Sequence, residues 1–267
     1  MPNDNVQTEI VPAVPTHRPV ALITGTSRGI GRSMALHLAE RGVSILGTYR
    51  SREDEARAVV RLIEERGARA AMLQLDTSET GTFGAFAGQV ATTLEETFER
   101  SNFDFLVNNA GLGIYASFAE TTEDQFDQLV AVHFKGPFFL TQQLLPLIVD
   151  GGSILNVSTG LTRFASPRYS AYAAAKGAIE ILTRYLAQEL APRRIRVNVI
   201  APGAVETDFG GGALRDNPTL NAQVAAHIAL GRVGLPDDIG AAAAAILAGG
   251  FGWINGERIE VSGGQRL

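Results

Sequence analysis

The chain has 267 residues, of which 45% are hydrophobic and 19% charged, with no cysteine and a formal net charge of −5. That size is ample for one large α/β core. The missing cysteines exclude disulfides and thiolate metal sites, the acidic balance without a basic cluster argues against a nucleic-acid surface, and no run approaches the ~18 apolar residues of a membrane span.

Residues 1–18 include Pro2, Pro12 and Pro15 and lack a charged region followed by an apolar core, so a loose arm is expected and a cytoplasmic setting is the default. The remainder, 19–267, reads as one domain. Residues 20–24 (V-A-L-I-T) form an apolar run that ends in glycines, and 30–41 continue as an amphipathic helix. A second strand is expected at 43–49, a helix at 53–66, a third strand at 70–75 and a helix at 82–100. A strand at 103–107 precedes 125–149, which reads as one long helix despite Pro137 and Pro146. Then come a strand at 153–158, a helix at 170–190, a strand at 195–200, a helix at 236–248 and a last strand at 258–261. Short apolar strands alternating with helices predict an α/β chain: a doubly wound parallel sheet covered on both faces.

Two stretches carry chemistry. The first strand runs directly into T-G-T-S-R-G-I-G at 24–31, where glycines let backbone N–H groups approach phosphate oxygens and the next helix adds positive potential. In R-Y-S-A-Y-A-A-A-K-G at 168–177, Tyr172 and Lys176 are four apart and share one helix face. A phenol near ~10 exchanges protons at neutral pH only if its phenolate is stabilised, and a neighbouring cation does that.

With these motifs the chain resembles the short-chain dehydrogenase/reductase family from residue 19 onward. Four segments carry the resemblance in the family's order: 24–31, N-N-A-G at 108–111, Tyr172-x-x-x-Lys176, and P-G-A-V-E-T at 202–207. The resemblance implies a Rossmann domain and an oxidoreductase that interconverts a carbonyl and an alcohol by hydride transfer. Tyr172 would be the general acid/base, with Lys176 lowering its pKa and holding the nicotinamide ribose. A second hydroxyl is expected about thirteen residues earlier; 172 − 13 gives Thr159, with Ser158 the alternative if the loop at 160–167 shifts by one. Where the family carries an asparagine before x-x-Gly, this chain has His133, a group that can hold a water or relay a proton. That departure bears on the proton relay.

The resemblance places the nucleotide against Gly25, Thr26, Ser27, Arg28, Gly29, Ile30 and Gly31, with Asp76 and Thr77 near the adenine and Asn109, Ala110 and Gly111 along the adenosine. Pro202, Gly203, Val205 and Thr207 would face the nicotinamide. Tyr49 stands where NAD-using members carry Asp, with Arg50 and Ser51 next in the chain; with Arg28 these suit a 2′-phosphate, so NADP is favoured over NAD. Substrate contacts are expected from 113–116, from 163–169 and from a lid at about 204–231 hinged on Gly210, Gly211 and Gly212. Tyr115, Phe164 and Phe209 suggest an apolar pocket, Tyr169 a pocket wall, and Arg163 and Arg168 a greeting for an anionic group. The partners implied are a small-molecule carbonyl or alcohol and further copies of the chain, as homodimer or homotetramer, with neither nucleic acid nor membrane. No metal is expected, because His17, His37, His133 and His227 lack ligand spacing. The alternatives are a non-catalytic NADP-sensing regulator on the same fold and an NAD-dependent alcohol dehydrogenase.

Overall fold

The computed structural model describes residues 18–267; apart from Arg18, the arm expected over 1–18 lies outside them. Seven strands form one parallel sheet: β1 (Val20–Ile23), β2 (Ser44–Tyr49), β3 (Ala70–Gln74), β4 (Phe103–Asn108), β5 (Ile148–Val157), β6 (Arg196–Pro202) and β7 (Arg258–Val261). Their order is β3-β2-β1-β4-β5-β6-β7, the doubly wound Rossmann arrangement. Parallel neighbours cannot be joined by tight turns, so helices cross between them on both faces.

β1 shows how the sequence drives this. All of its residues are buried, and they alternate between two cores. Ala21 and Ile23 pack with Met34 and Leu38 of α1 (Gly29–Glu40), Ile63 of α2 (Glu53–Glu64) and Ile239 of α9 (Pro236–Ala248). Val20 and Leu22 pack on the other face with Phe83 and Leu94 of α3 (Phe83–Phe98), Leu140 and Leu144 of α5 (Gly136–Leu144) and Ala187 of α6 (Ser170–Glu189). Ile23 pairs with Gly47 on one side and Val107 on the other. The chain leaves β1 toward β3 and returns to β4, which opens a crevice at the carboxyl ends of β1 and β4.

The expected helix at 125–149 is instead four pieces. They are α4 (Glu123–Val130), a π-turn at Ala131–Lys135, α5, and a 3₁₀ turn at Leu145–Leu147, after which β5 begins at Ile148. Pro137 has no N–H to return to the preceding turn, and a wider turn accommodates that gap. Gly136 tightens the constraint: a Cβ there would lie 2.3 Å from the Thr77 carbonyl oxygen. Pro146 falls in the 3₁₀ turn, and β5 starts earlier than expected because its pairing with β4 shifts register between Phe103 and Phe105. Ser158, expected in the strand, lies just beyond it. The segment at 204–231 is not all loop, for it contains α7 (Ala213–Asp216) and α8 (Pro218–Ala225).

Beneath the crevice runs a buried polar ladder. Asn108 Nδ2 donates to Asn156 Oδ1 (2.8 Å) and Thr141 Oγ1 (3.0 Å), and Asn156 Nδ2 donates to Thr183 Oγ1 (2.9 Å). It locks β4, β5, α5 and α6 in one register. The α1–α9 contact is equally close, since a Cβ on Gly240 would meet Ser33 Oγ at 2.2 Å. Replacing Gly240 with Val therefore lowers the unfolding free energy by ~1–3 kcal/mol in urea titrations.

Candidate active site

At the end of β1 the backbone turns through Gly25 and Gly29, both at positive φ (70° and 56°), and enters α1. A Cβ on Gly31 would stand 2.2 Å from the Gly25 carbonyl oxygen and 2.5 Å from Asn109 Nδ2. No side chain caps the first amides of α1 and no acid sits in its first turn, so the helix end keeps its positive potential. Thr26 is buried, and its hydroxyl donates to the Ile23 carbonyl (2.7 Å). Asn109 stitches the turn to β4: its Nδ2 donates to the carbonyls of Thr24 (2.8 Å) and Gly25 (3.1 Å). Its side chain is thus spent on the scaffold, while Ala110 lies against Gly25 and Gly111 against the His133 ring. This cradle, free of side-chain bulk and rich in amides, fits a dinucleotide pyrophosphate.

At the outer end of the crevice, Tyr49 closes β2 and Arg50 is exposed. A cavity of about 440 Å³ opens there, lined by Arg50, Gln74, Leu75, Asp76 and Phe86 among others. Burial pushes the Asp76 carboxyl up, but hydrogen bonds from Ser78 and the Arg50 charge bring it below the ordinary range. Arg28, expected to stand ready for a phosphate, pairs instead with Asp208 at 3.2 Å. Asp208 also accepts from Arg215. Thr207 lies over Gly29, its Oγ1 accepting from Phe209 N at 3.2 Å. Pro202 and Gly203 run on from β6 against β7, where Gly203 N donates to the Val261 carbonyl (3.0 Å), and Val205 bridges to Gly234.

On the other side of the crevice α6 presents Tyr172, Lys176 and Glu180, one helical turn apart and on one face. Tyr172 and Lys176 are buried. Lys176 Nζ donates to the carbonyl of Val157, the last residue of β5 (2.6 Å). The two residues after Val157 are thereby sorted. Ser158 Oγ donates to Glu180 Oε1 (2.5 Å). Thr159 is the one whose hydroxyl is near enough to the Tyr172 phenol to favour its ionised form. The structure brings Thr159 to Tyr172 and turns Ser158 away.

Burial pushes the Tyr172 phenol well above 10; the nearby Thr159 hydroxyl pulls it back in part, and Tyr169 adds to the rise. The expected lowering by Lys176 is absent here, for the lysine is itself brought down to about 7 by burial and its Nζ is engaged at Val157. His133 sits in the π-turn, buried, its ring 5.1 Å from that of Tyr172 and perpendicular to it. Its Nε2 lies 2.8 Å from the Leu112 carbonyl, and its Nδ1 is buried without a partner. Burial, reinforced by Lys176, holds its pKa well below 6.5, so the imidazole is neutral with Nε2–H donating and the Nδ1 lone pair free.

An aromatic wall surrounds the phenol. Tyr169 meets Tyr172 edge-on (6.2 Å) and Tyr115 likewise (5.1 Å), and the Phe209 ring lies 5.4 Å from Tyr172. The arginines expected to greet an anion are engaged elsewhere. Arg168 stacks on Tyr115 at 4.2 Å, and Arg163 pairs with Glu260 at 3.3 Å. Gly210, Gly211 and Gly212 all hold positive φ just past Phe209.

A family model described as enoyl-(acyl carrier protein) reductase matches residues 25–266. The chain belongs to the short-chain dehydrogenase/reductase family. It is 36% identical over 248 residues to an uncharacterized oxidoreductase of Methylorubrum extorquens, covering 92% of this chain and 97% of the other. A tetrahydroxynaphthalene reductase of Pestalotiopsis fici is 32% identical, with 96% of each chain covered. Among solved structures, the angucycline C-6 ketoreductase LanV with bound NADP superposes with a TM-score of 0.88 at 35% identity, over 93% of this chain and 95% of that one. The promiscuous reductase LugOII, which catalyses keto-reduction at C1 during lugdunomycin biosynthesis, has the same score at 37% identity, over 93% and 98%.

This short-chain dehydrogenase/reductase is therefore an oxidoreductase. No helix among its described residues is long and apolar enough to cross a membrane. Sequence reasoning missed Glu180, although it falls on the Tyr172–Lys176 face at the next multiple of four. It also missed Arg258, which only the fold brings near.

Because Lys176 falls from 10.5 to about 7 on folding, the unfolded chain binds more protons between those values, and stability attributable to this group rises with pH across them. Thermal melts of wild type and Lys176→Met should show the difference moving in favour of the wild type from about pH 7 to about pH 10.5, with no trend below that window.

Proposed function

We propose that the chain is an NADPH-dependent ketoreductase that acts on a planar aromatic or polycyclic ketone. The observation that carries this is the set of rings, Tyr115, Tyr169 and Phe209, arranged around the Tyr172–Thr159 hydroxyl pair. Flat rings favour offset or edge contacts with other flat rings, and the relatives named for naphthalene and angucycline substrates are consistent with that.

The nucleotide supplies the hydride; the chain's own groups manage the oxygen. Tyr172, kept protonated by burial, is the acid that donates its O–H proton to the carbonyl oxygen. Thr159 holds that oxygen through a second hydrogen bond that strengthens as negative charge develops. Ser158, tied to Glu180, serves the loop and not the substrate. Lys176, poised near neutrality, is suited to return a proton to the phenolate. The His133 Nδ1 lone pair, left without a protein partner, is suited to hold a water in place of the relay asparagine carried elsewhere in the family.

NADP is preferred over NAD in this reading because Tyr49 replaces an acid and Arg50 is exposed at the cavity mouth. Arg28 joins it by exchanging Asp208 for the 2′-phosphate. The exposed apolar side chains Phe126, Phe138, Ile181 and Tyr185 on α4, α5 and α6 support association of like chains.

Absorbance at 340 nm, monitored with NADPH and bicyclic or tetracyclic aromatic ketones, should show turnover, and small aliphatic ketones should be poor. Tyr172→Phe should lower kcat by ~10²–10⁴-fold, and Thr159→Ser should retain most of the activity that Thr159→Ala loses. No turnover of any ketone alongside tight NADPH binding would refute the reading. Arg50→Ala should raise KM for NADPH by ~10-fold or more, the loss of one charge-assisted hydrogen bond, and leave KM for NADH nearly unchanged.

A further inference from the structure

We propose that Arg258 and Glu180 are positioning residues that aim the Thr159 hydroxyl at the substrate carbonyl; this rests on Thr159 being the carbonyl-binding hydroxyl. Neither touches the reacting atoms, and both act through the turn after β5.

Glu180 Oε1 gathers three donors: Ser158 Oγ (2.5 Å), Thr162 Oγ1 (2.7 Å) and Arg258 Nε (2.8 Å). Arg258 Nη2 then donates to the Thr159 carbonyl (3.2 Å) and lies 3.1 Å from Thr162 Oγ1. Thr162 Oγ1 is also 2.9 Å from that same carbonyl. Thr159 is therefore held on both sides, through the Ser158 side chain before it and through its own carbonyl after it. The peptide plane is thereby fixed, extended at φ −158° and ψ 153°, and the side chain it carries is set where Oγ1 also accepts from Leu161 N (3.3 Å).

The pair is part of a longer chain of charges. Arg258 Nη1 donates to Glu260 Oε2 (2.5 Å), and Glu260 pairs with Arg163. Arg163 in turn donates to the carbonyls of Gln265 and Arg266 (3.0 Å to the latter). Arg258 and Glu260 are two apart on β7 and so point to one face of the sheet. The Arg258 and Glu180 side chains are only 22% and 13% exposed. A pair that far removed from water gives little net stability over an apolar replacement, whereas an error of about 1 Å in the placement of a reacting group costs ~10²-fold in rate.

A double-mutant cycle tests this. kcat and KM are measured for wild type, Arg258→Met, Thr159→Ala and the combination, with NADPH and a ketone that turns over. Arg258→Met should lower kcat by ~30–100-fold and leave KM for NADPH within about threefold. In the Thr159→Ala background the same change should cost less than about threefold, since the hydroxyl it aims is gone. Equal losses in both backgrounds, or full activity in Arg258→Met, overturn the proposal while leaving Thr159 in its role. Full activity in Thr159→Ala removes that role and the proposal with it. If Arg258→Met does not fold, Arg258→Met with Glu180→Gln leaves no unpaired carboxylate beside Ser158 and takes its place in the cycle.

Discussion

A lysine held away from water sets the geometry of the whole site. Lys176 is 5% exposed and its ammonium group is anchored at the last carbonyl of β5. Such a group tolerates burial only where a strong acceptor meets it, so this bond fixes how far α6 can slide along the sheet. One turn before the lysine, Tyr172 then arrives at Thr159; one turn after it, Glu180 arrives at Ser158. A slide of either element by one residue would separate all three contacts together.

The interior beneath the site repeats this logic with neutral groups. Asn108, Asn156, Thr141 and Thr183 form a hydrogen-bonded ladder just below the carboxyl ends of the strands. Above it, Asn109 gives its amide to the glycine-rich turn. Polar groups buried in this way reward a single register and penalise its neighbours. The apolar residues on both faces supply the drive to collapse, but they would accept several registers nearly as well. The aromatic wall is of a different kind. It is built largely from segments outside the strands, and Phe209 precedes three glycines in left-handed conformations, so it can be reshaped without disturbing the ladder.

Features are legible in the sequence to the extent that their signals are local. The strands expected at 20–24 and 103–107 are apolar runs closed by glycine or asparagine, and their bounds in the fold agree to within a residue. Tyr172 and Lys176 are legible because four residues make about one helical turn. Counting back thirteen residues points to Thr159, but it does not show what occupies Ser158, since that turns on a hydrogen bond to Glu180. Arg258 lies 78 residues beyond its glutamate, and Asp208 lies 180 beyond Arg28. Pairings of that range exist only after the strands have been ordered. Pro137 is visible as a disturbance, but a proline alone does not say whether a helix ends, bends or widens, and the Thr77 carbonyl against Gly136 belongs to another segment.

The widened turn at Ala131–Lys135 has a consequence for how this chain tolerates changes in length. An α-helix advances ~100° per residue, and a π-turn absorbs one extra residue without rotating the helix beyond it. Removing one residue from this turn would therefore restore an ordinary helix with both flanks still facing as they do, and Leu140 and Leu144 would stay in the core. A further insertion would instead swing one flank by that angle. Loss of one residue is thus open to this stretch so long as it spares His133, whose ring stands against the phenol.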